Sequence, residues 1–491
     1  MKLYEMTACE AAAALRKKEV TSQELTESVL ERISGVEGII KGFITILESE
    51  KILQEAKKID KLLAEGKKLS PLAGIPMALK DNICTQGIPT TYASKMLENY
   101  RPSYDAHVTE KLKEAGTVLM GKANMDEFAM GSSTERSFFH PTRNPWDISR
   151  VPGGSSGGSA ALVAADEIFF SLGSDTGGSV RQPASMCGVV GLKPTYGLVS
   201  RYGLAALAPS LDQVGPLSKD VRDCAMVLDI IAGHDPRDST SAKSKDNYVD
   251  YLGREVKGFK IGFPKEFFGE GLEEPVKKVI MEALAKSEQL GAEVDEISLP
   301  KTPYVLPCYH LVVSAEISSA LARYDGVRYG FRAREGDTLS ELYRQTRSRG
   351  FGSEVKKRII LGTHVLRTEH YDDYYWKALK VRTLIKQDFE KVFRDYDLIA
   401  TPTSPTTAFK LGAKNDDPQT VHSRDNYTRA ANLTGIPAIS IPCGFVEGLP
   451  VGLQIMGRPF EEGRMLQFCY ALEDMLGVKG YKPEISVEGG H

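Results

Sequence analysis

The sequence predicts an α/β layered fold with a mainly parallel or mixed sheet, because short apolar strand segments alternate with longer helical ones along most of the chain. The strand segments are punctuated by Gly and Pro, and the first helices carry recognisable start signals. Residues 1–66 read as helices: Thr21 and Glu24 make a T-x-x-E capping box at the head of TSQELTESVLERI, and a second helix covers about 48–65. LAGIPMALKDNI places a buried strand near 75–80, followed by a helix over 105–116 and a strand in TVLMGKAN. From Met125 to Gly158 the chain is rich in Ser, Thr, Asn, Pro and Gly and has no period, which marks a functional loop. SGGSAALVAADE then reads as a helix, IFFSLGSD as a strand and TGGSVRQPA as a turn. FKIGFP, AEVDEISLP, YDLIATPT, PAISIPCGF and VGLQIMG are further strands, with helices expected near 219–233, 273–291, 354–395 and 461–475.

At 491 residues the length alone suggests roughly three domains. No internal repeat or sharp linker divides the chain. Lys and Arg total 62 against 65 Asp and Glu, a formal charge of −3 that disfavours a free-standing nucleic-acid binder. With 42% hydrophobic and 26% charged residues the composition is that of an ordinary globular protein with a large core. The seven cysteines are scattered, with no C-x-x-C, and no signal segment precedes them, so a reducing cytoplasm is expected. No run approaches 18 apolar residues, so no membrane span is expected.

Two glycine-flanked serine clusters are candidates for chemistry, PGGSSGGSAA at 152–161 and GSDTGGSVRQPA at 173–184; either alone reads equally as a tight loop or a Gly/Ser linker, but two joined by a helix and a strand make linkers implausible. In the second, a strand ends at Asp175 and a helix begins after Ser179, so the amides of Thr176, Gly177, Gly178 and Ser179 converge where an oxyanion could sit. Gly153–Gly157 satisfies G-x-S-x-G, but the polar, proline-broken RNPWDISRVP cannot be the buried strand that a nucleophile elbow requires. None of the eight histidines lies in a catalytic motif, and each reads as a surface or ordinary core residue. Lys80, closing GIPMAL, is the alternative base, because desolvation at a buried strand end favours the neutral amine. A lysine merely snorkelling from a strand end would look the same. No G-x-x-x-x-G-K-[ST], no G-x-G-x-x-G after a strand and no zinc-ligand spacing occurs, so no cofactor is expected in this chain.

GIPMALKDNI, NPWDISRVPGGSSGGSAALVAA and GSDTGGSVRQPASMCGVVGLKPTYG together resemble the amidase signature family, with further similarity from the N-terminal helices to VGLQIMGRPF. Within it, MGSSTE, SAEISSALARYDGVRYG, EVKKRIILGT and NLTGIPAISIPCG are most similar to the A subunits of glutamyl-tRNA(Gln) amidotransferases. The resemblance implies an α/β/α fold with a large mixed central β-sheet covered by helices on both faces. It implies one amidase domain over 1–491, with a helical region to 66, a catalytic core over 67–235, and the rest of the sheet and pocket helices beyond. It further implies a nucleophile Ser179, a bridging Ser155 after a cis peptide from Gly154, and Lys80 as base. The amides of Thr176, Gly177 and Gly178 would form the oxyanion hole. Arg358 would hold the α-carboxylate of glutamine and Asp425 its α-amino group, with Ser132 and Tyr309 lining the pocket. B and C subunits would complete a heterotrimer, with tRNA, ATP and Mg²⁺ handled mainly by the B subunit. The rival readings are a stand-alone amidase for small or aryl amides, a non-catalytic scaffold and a membrane-bound fatty-acid amide hydrolase. Intact Lys80, Ser155 and Ser179 argue against the scaffold, and the missing N-terminal anchor argues against the last.

Overall fold

The structure, a computed structural model, describes residues 2–243, 246–333, 338–413 and 427–485. Its frame is one 11-stranded mixed sheet. The strands are β1 (Phe43–Ile46), β2 (Pro76–Lys80), β3 (Val118–Ala123), β4 (Phe170–Asp175), β5 (Val190–Lys193), β6 (Gln213–Ser218), β7 (Lys260–Pro264), β8 (Glu293–Ile297), β9 (Leu398–Pro402), β10 (Ala438–Val446) and β11 (Leu449–Gly457). Across the sheet they run β1-β3-β2-β4-β6-β5-β10-β11-β9-β7-β8. Two parallel groups, β3-β2-β4 and β9-β7-β8, flank an antiparallel centre. Strands from the beginning, middle and end of the chain thus share one sheet.

The sequence-level strand assignments for 75–80, 117–124 and 168–175 fall on β2, β3 and β4. The capping box at Thr21 forms as expected, and opens the helix Ser22–Ile40. Three strands escape the pattern. β1 interrupts the expected all-helical N-terminal region, and β5 and β6 are short buried segments that periodicity cannot distinguish from loop. The helix expected over 354–395 is divided into Ser353–Val365, a short turn at Thr368–His370, a π-helical segment Tyr371–Trp376 and Lys377–Asp395. The helices Val305–Ala320 and Leu339–Gly350 are not legible in the sequence either. The first is apolar nearly all round, so it lacks the polar face that makes a helix readable. The stretch Thr302–Arg323 that contains it is long and apolar enough to cross a membrane, yet it packs against Ser353–Val365 and Lys377–Asp395. All seven cysteines are free thiols.

What positions the site is the pairing of β2 with β4. These strands are parallel and in register from Met77 with Phe170 to Leu79 with Leu172, so Lys80 and Asp175 finish at the same edge of the sheet. The carboxyl ends of parallel strands are where open α/β sheets leave a crevice.

Candidate active site

Lys80 is completely buried at the end of β2. Its ammonium nitrogen lies 2.8 Å from Ser155 Oγ, 2.8 Å from Ser156 Oγ and 2.9 Å from Ser174 Oγ, with the Ser174 carbonyl at 3.3 Å. These partners are uncharged. Burial therefore pushes the lysine from 10.5 down to about 7, against the upward pull of Asp126, Asp175 and Asp212. A neutral amine at physiological pH is the state a general base needs.

The serines reach Lys80 by two routes. Ser174 is carried on β4, and Asn82 Nδ2 donates to its hydroxyl at 2.8 Å. Ser155 and Ser156 arrive on the glycine loop, where the Gly154–Ser155 peptide is cis. The loop is held by backbone contacts: Gly154 N–H donates to Gln182 Oε1 (2.9 Å), Gly157 N–H to Thr134 Oγ1 (3.0 Å) and Gly158 N–H to the Asn124 carbonyl (3.1 Å). A Cβ at Gly158 would meet the Asn124 backbone at 2.5 Å, so only glycine fits at this crossing.

The turn carrying Ser179 is organised by a buried ion pair. Asp175 accepts from Arg181 at 3.0 and 3.1 Å and from Asn432 Nδ2 at 2.8 Å. Burial alone would raise the Asp175 carboxyl, but the Arg181 guanidinium and the Asn432 amide outweigh it and hold the group well below the usual carboxylate range. The same carboxylate takes the N–H groups of Gly178 (2.7 Å) and Val180 (3.1 Å), which wraps the chain around it. Gly178 sits at φ +120°, where a side chain would also run into Thr428. The Gly178 N–H, expected among the oxyanion donors, points to the Asp175 carboxylate in this structure. Ser156 N–H donates to the Ser179 carbonyl at 3.1 Å and joins this turn to the Lys80 cluster.

Ser179 opens into a cleft of about 270 Å³ whose wall includes Gly177, Gly178, Ser132, Tyr309 and Arg358. The Ser132 loop is tied down by buried Asp126, which accepts from the amides of Ser133, Thr134 and Arg136. The Ser132 carbonyl accepts from Gln182 Nε2 at 3.2 Å. Tyr309 lies on the helix Val305–Ala320, with the Arg429 guanidinium 4.4 Å above its ring centroid. Arg358 is braced from Nε to Glu354 Oε1 at 2.9 Å. The Thr176 hydroxyl donates to Asp212 at 2.7 Å; burial raises the Asp212 carboxyl to about 7 despite that bond.

The structure thus brings together the expected Lys80, Ser155 and Ser179 loops and puts Ser132, Tyr309 and Arg358 around one cleft. Asp425 lies outside the described residues. Sequence reasoning missed Ser156 and Ser174 as partners of Lys80. It also missed the Asp175–Arg181 anchor, and Arg429 and His310 beside Arg358. Asp175 alone had a usable signal, since an Asp immediately before a Thr-Gly-Gly turn is placed to accept its amides.

A sequence profile of the Amidase family matches residues 24–466. The chain is 57% identical over 488 residues to the A subunit of the glutamyl-tRNA(Gln) amidotransferase of Moorella thermoacetica, covering 99% of this chain and 100% of that protein. It is 58% identical over 483 residues to the corresponding A subunit from Caldanaerobacter subterraneus, covering 98% of each. Among solved structures, the A subunit of the glutamyl-tRNA(Gln) amidotransferase from Thermotoga maritima superposes with a TM-score of 0.81 at 44% identity, covering 96% of this chain and 95% of the other. The peptide amidase of Stenotrophomonas maltophilia superposes at 0.83 with 28% identity over 98% of each chain. Lysine, serine loops and cleft therefore sit in the fold expected of them, and the chain belongs to the amidase family.

Proposed function

We propose that this chain is the glutaminase subunit of a glutamyl-tRNA(Gln) amidotransferase, a single catalytic domain that releases ammonia from glutamine and passes it to a partner subunit. The observation that carries the chemistry is a desolvated Lys80, 2.8 Å from the Ser155 hydroxyl, beside the turn that bears Ser179. Neutral Lys80 accepts a proton through Ser155 as Ser179 attacks the side-chain amide of glutamine, which makes an otherwise weak alcohol nucleophile competent. The amides of Thr176, Gly177 and Ser179 are the donors available to the tetrahedral oxyanion. The relay then returns the proton to the departing amine, so nitrogen leaves as ammonia and a γ-glutamyl ester remains on Ser179. Water attacks this ester by the same base assistance and frees glutamate.

Arg358 in the cleft wall is suited to the α-carboxylate of glutamine, Asp425 is assigned to its α-amino group, and Ser132 and Tyr309 shape the space between. The likeness in sequence to amidotransferase A subunits over the whole chain supports the larger assignment. In that assignment B and C subunits complete a heterotrimer in the cytoplasm. The B subunit holds most of the tRNA contact and uses ATP and Mg²⁺ to activate the glutamyl group, while this chain needs no cofactor. The formal charge of −3 fits a subunit that does not itself grip tRNA. The test is ammonia release from glutamine by the chain alone, with its B and C subunits, and with both plus misacylated Glu-tRNA(Gln). The reading expects release to rise on each addition. A rate unchanged by partners and tRNA, with efficient cleavage of aryl amides, would make this a stand-alone amidase instead.

A further inference from the structure

We propose that His310 is a positioning residue for substrate recognition, the bracket that sets the Arg358 guanidinium against the cleft; this deepens the glutaminase reading and rests on it. His310 follows Tyr309 on the helix Val305–Ala320 and projects between two arginines that both line the cleft. Its Nδ1 lies 2.8 Å from Arg358 Nη1 and its Nε2 lies 3.2 Å from Arg429 Nη1. A guanidinium has only donors, so each of these contacts can be a hydrogen bond only where the imidazole nitrogen offers a lone pair. A neutral imidazole has one such nitrogen. The shorter contact is at Nδ1: in the tautomer protonated at Nε2 the ring accepts from Arg358, and in the opposite tautomer it accepts from Arg429.

The bracket matters because of what else Arg358 does. Glu354 takes its Nε–H at 2.9 Å and His310 can take a hydrogen of Nη1, which fixes the guanidinium plane from two sides and, among the described residues, leaves Nη2 for a ligand. A fork pre-oriented in this way meets a carboxylate without first losing rotamer freedom. Glu354 also lies 3.5 Å from Arg136 Nη1, so it is shared between two cations. The second brace keeps Arg358 in place when that carboxylate is drawn toward Arg136. His310 touches neither Ser179 nor the relay to Lys80. It acts on binding of the α-carboxylate, not on amide cleavage.

The test compares glutamine with butyramide, which keeps the reacting amide and lacks both α groups, using the full chain assembled with its partner subunits. His310→Phe keeps a ring and removes the acceptor; it should raise KM for glutamine at least about tenfold with kcat nearly unchanged, and leave kcat/KM for butyramide within about twofold. His310→Asn, whose carbonyl oxygen can stand near the Nδ1 position, should recover most of the loss. In an Arg358→Ala background, His310→Phe should add no further loss, because the two residues act in series. Equal losses on both amides, failure of Asn to rescue, or an additive loss in the double variant would each overturn the bracket. A wild-type enzyme that does not prefer glutamine to butyramide would overturn the glutaminase reading, and the bracket with it.

Discussion

The Lys80 cluster, buried and joined to the turn that carries Ser179, and the Arg358 wall of the cleft are built in opposite ways. The cluster is made by strand ends and a glycine loop, its groups are buried, and its lysine meets hydroxyls and a carbonyl. The wall is made by three helices, Val305–Ala320, Ser353–Val365 and residues 427–434, which bring a partly exposed Arg358 and a buried Arg429 to one imidazole, with Glu354 behind. Backbone geometry fixes the first, while side chains bracing one another fix the second. The groups proposed to react are therefore placed rigidly, with the ammonium discouraged by burial. The guanidinium of Arg358, proposed to recognise the substrate, keeps contact with water and can exchange it for a ligand.

That contrast predicts different kinds of damage. Ser179→Ala should cost at least about 10⁴-fold in glutaminase kcat, since no second nucleophile is offered at the turn. Retained turnover above about one per cent would reject Ser179. Lys80→Met, which preserves buried volume, should lose about 10²- to 10⁴-fold in rate while the dissociation constant for glutamine changes little. A binding loss of the same size as the rate loss would place Lys80 in recognition instead. Arg181→Met tests the anchor beneath the nucleophile. Leaving Asp175 as an uncompensated buried charge should cost about 3–5 kcal/mol in urea unfolding, and a loss under about 1 kcal/mol would mean the ion pair is dispensable. Arg358→Ala belongs to the other region: KM for glutamine should rise about 10- to 100-fold with butyramide cleavage unaffected. Equal effects on both substrates would erase the distinction between the two regions.

The two regions also differ in how far they can be read from sequence. Lys80, Ser155 and Ser179 are legible because glycine–serine loops and a lysine at a strand end are local features, and the resemblance to a known family implies the roles proposed for them. The alternation of strands and helices likewise points to the layered fold, and Thr21 with Glu24 marks a helix start that the structure reproduces. His310 is invisible by the same logic. Its function depends on Arg358 and Arg429, 48 and 119 residues away, and nothing in its immediate neighbours sets it apart from an ordinary histidine. β5 and β6 escape for a related reason. Short, fully buried strands in the middle of a sheet have no solvent-exposed face, so alternation cannot reveal them.

The claim on which the rest depends is that Lys80 works as an uncharged amine, and the pH dependence of kcat/KM for glutamine tests it most directly. Lys80 loses its proton at about 7, so the rate should climb about tenfold per unit at acid pH and level off above neutrality. Asp212 also titrates at about 7, so the profile is taken again with Asp212→Asn. The rising limb should persist there and move to lower pH, because a carboxylate that stabilises the ammonium has been removed. A profile that is flat between about pH 5.5 and 8, or a limb that vanishes with Asp212→Asn, would contradict a neutral Lys80 as the base.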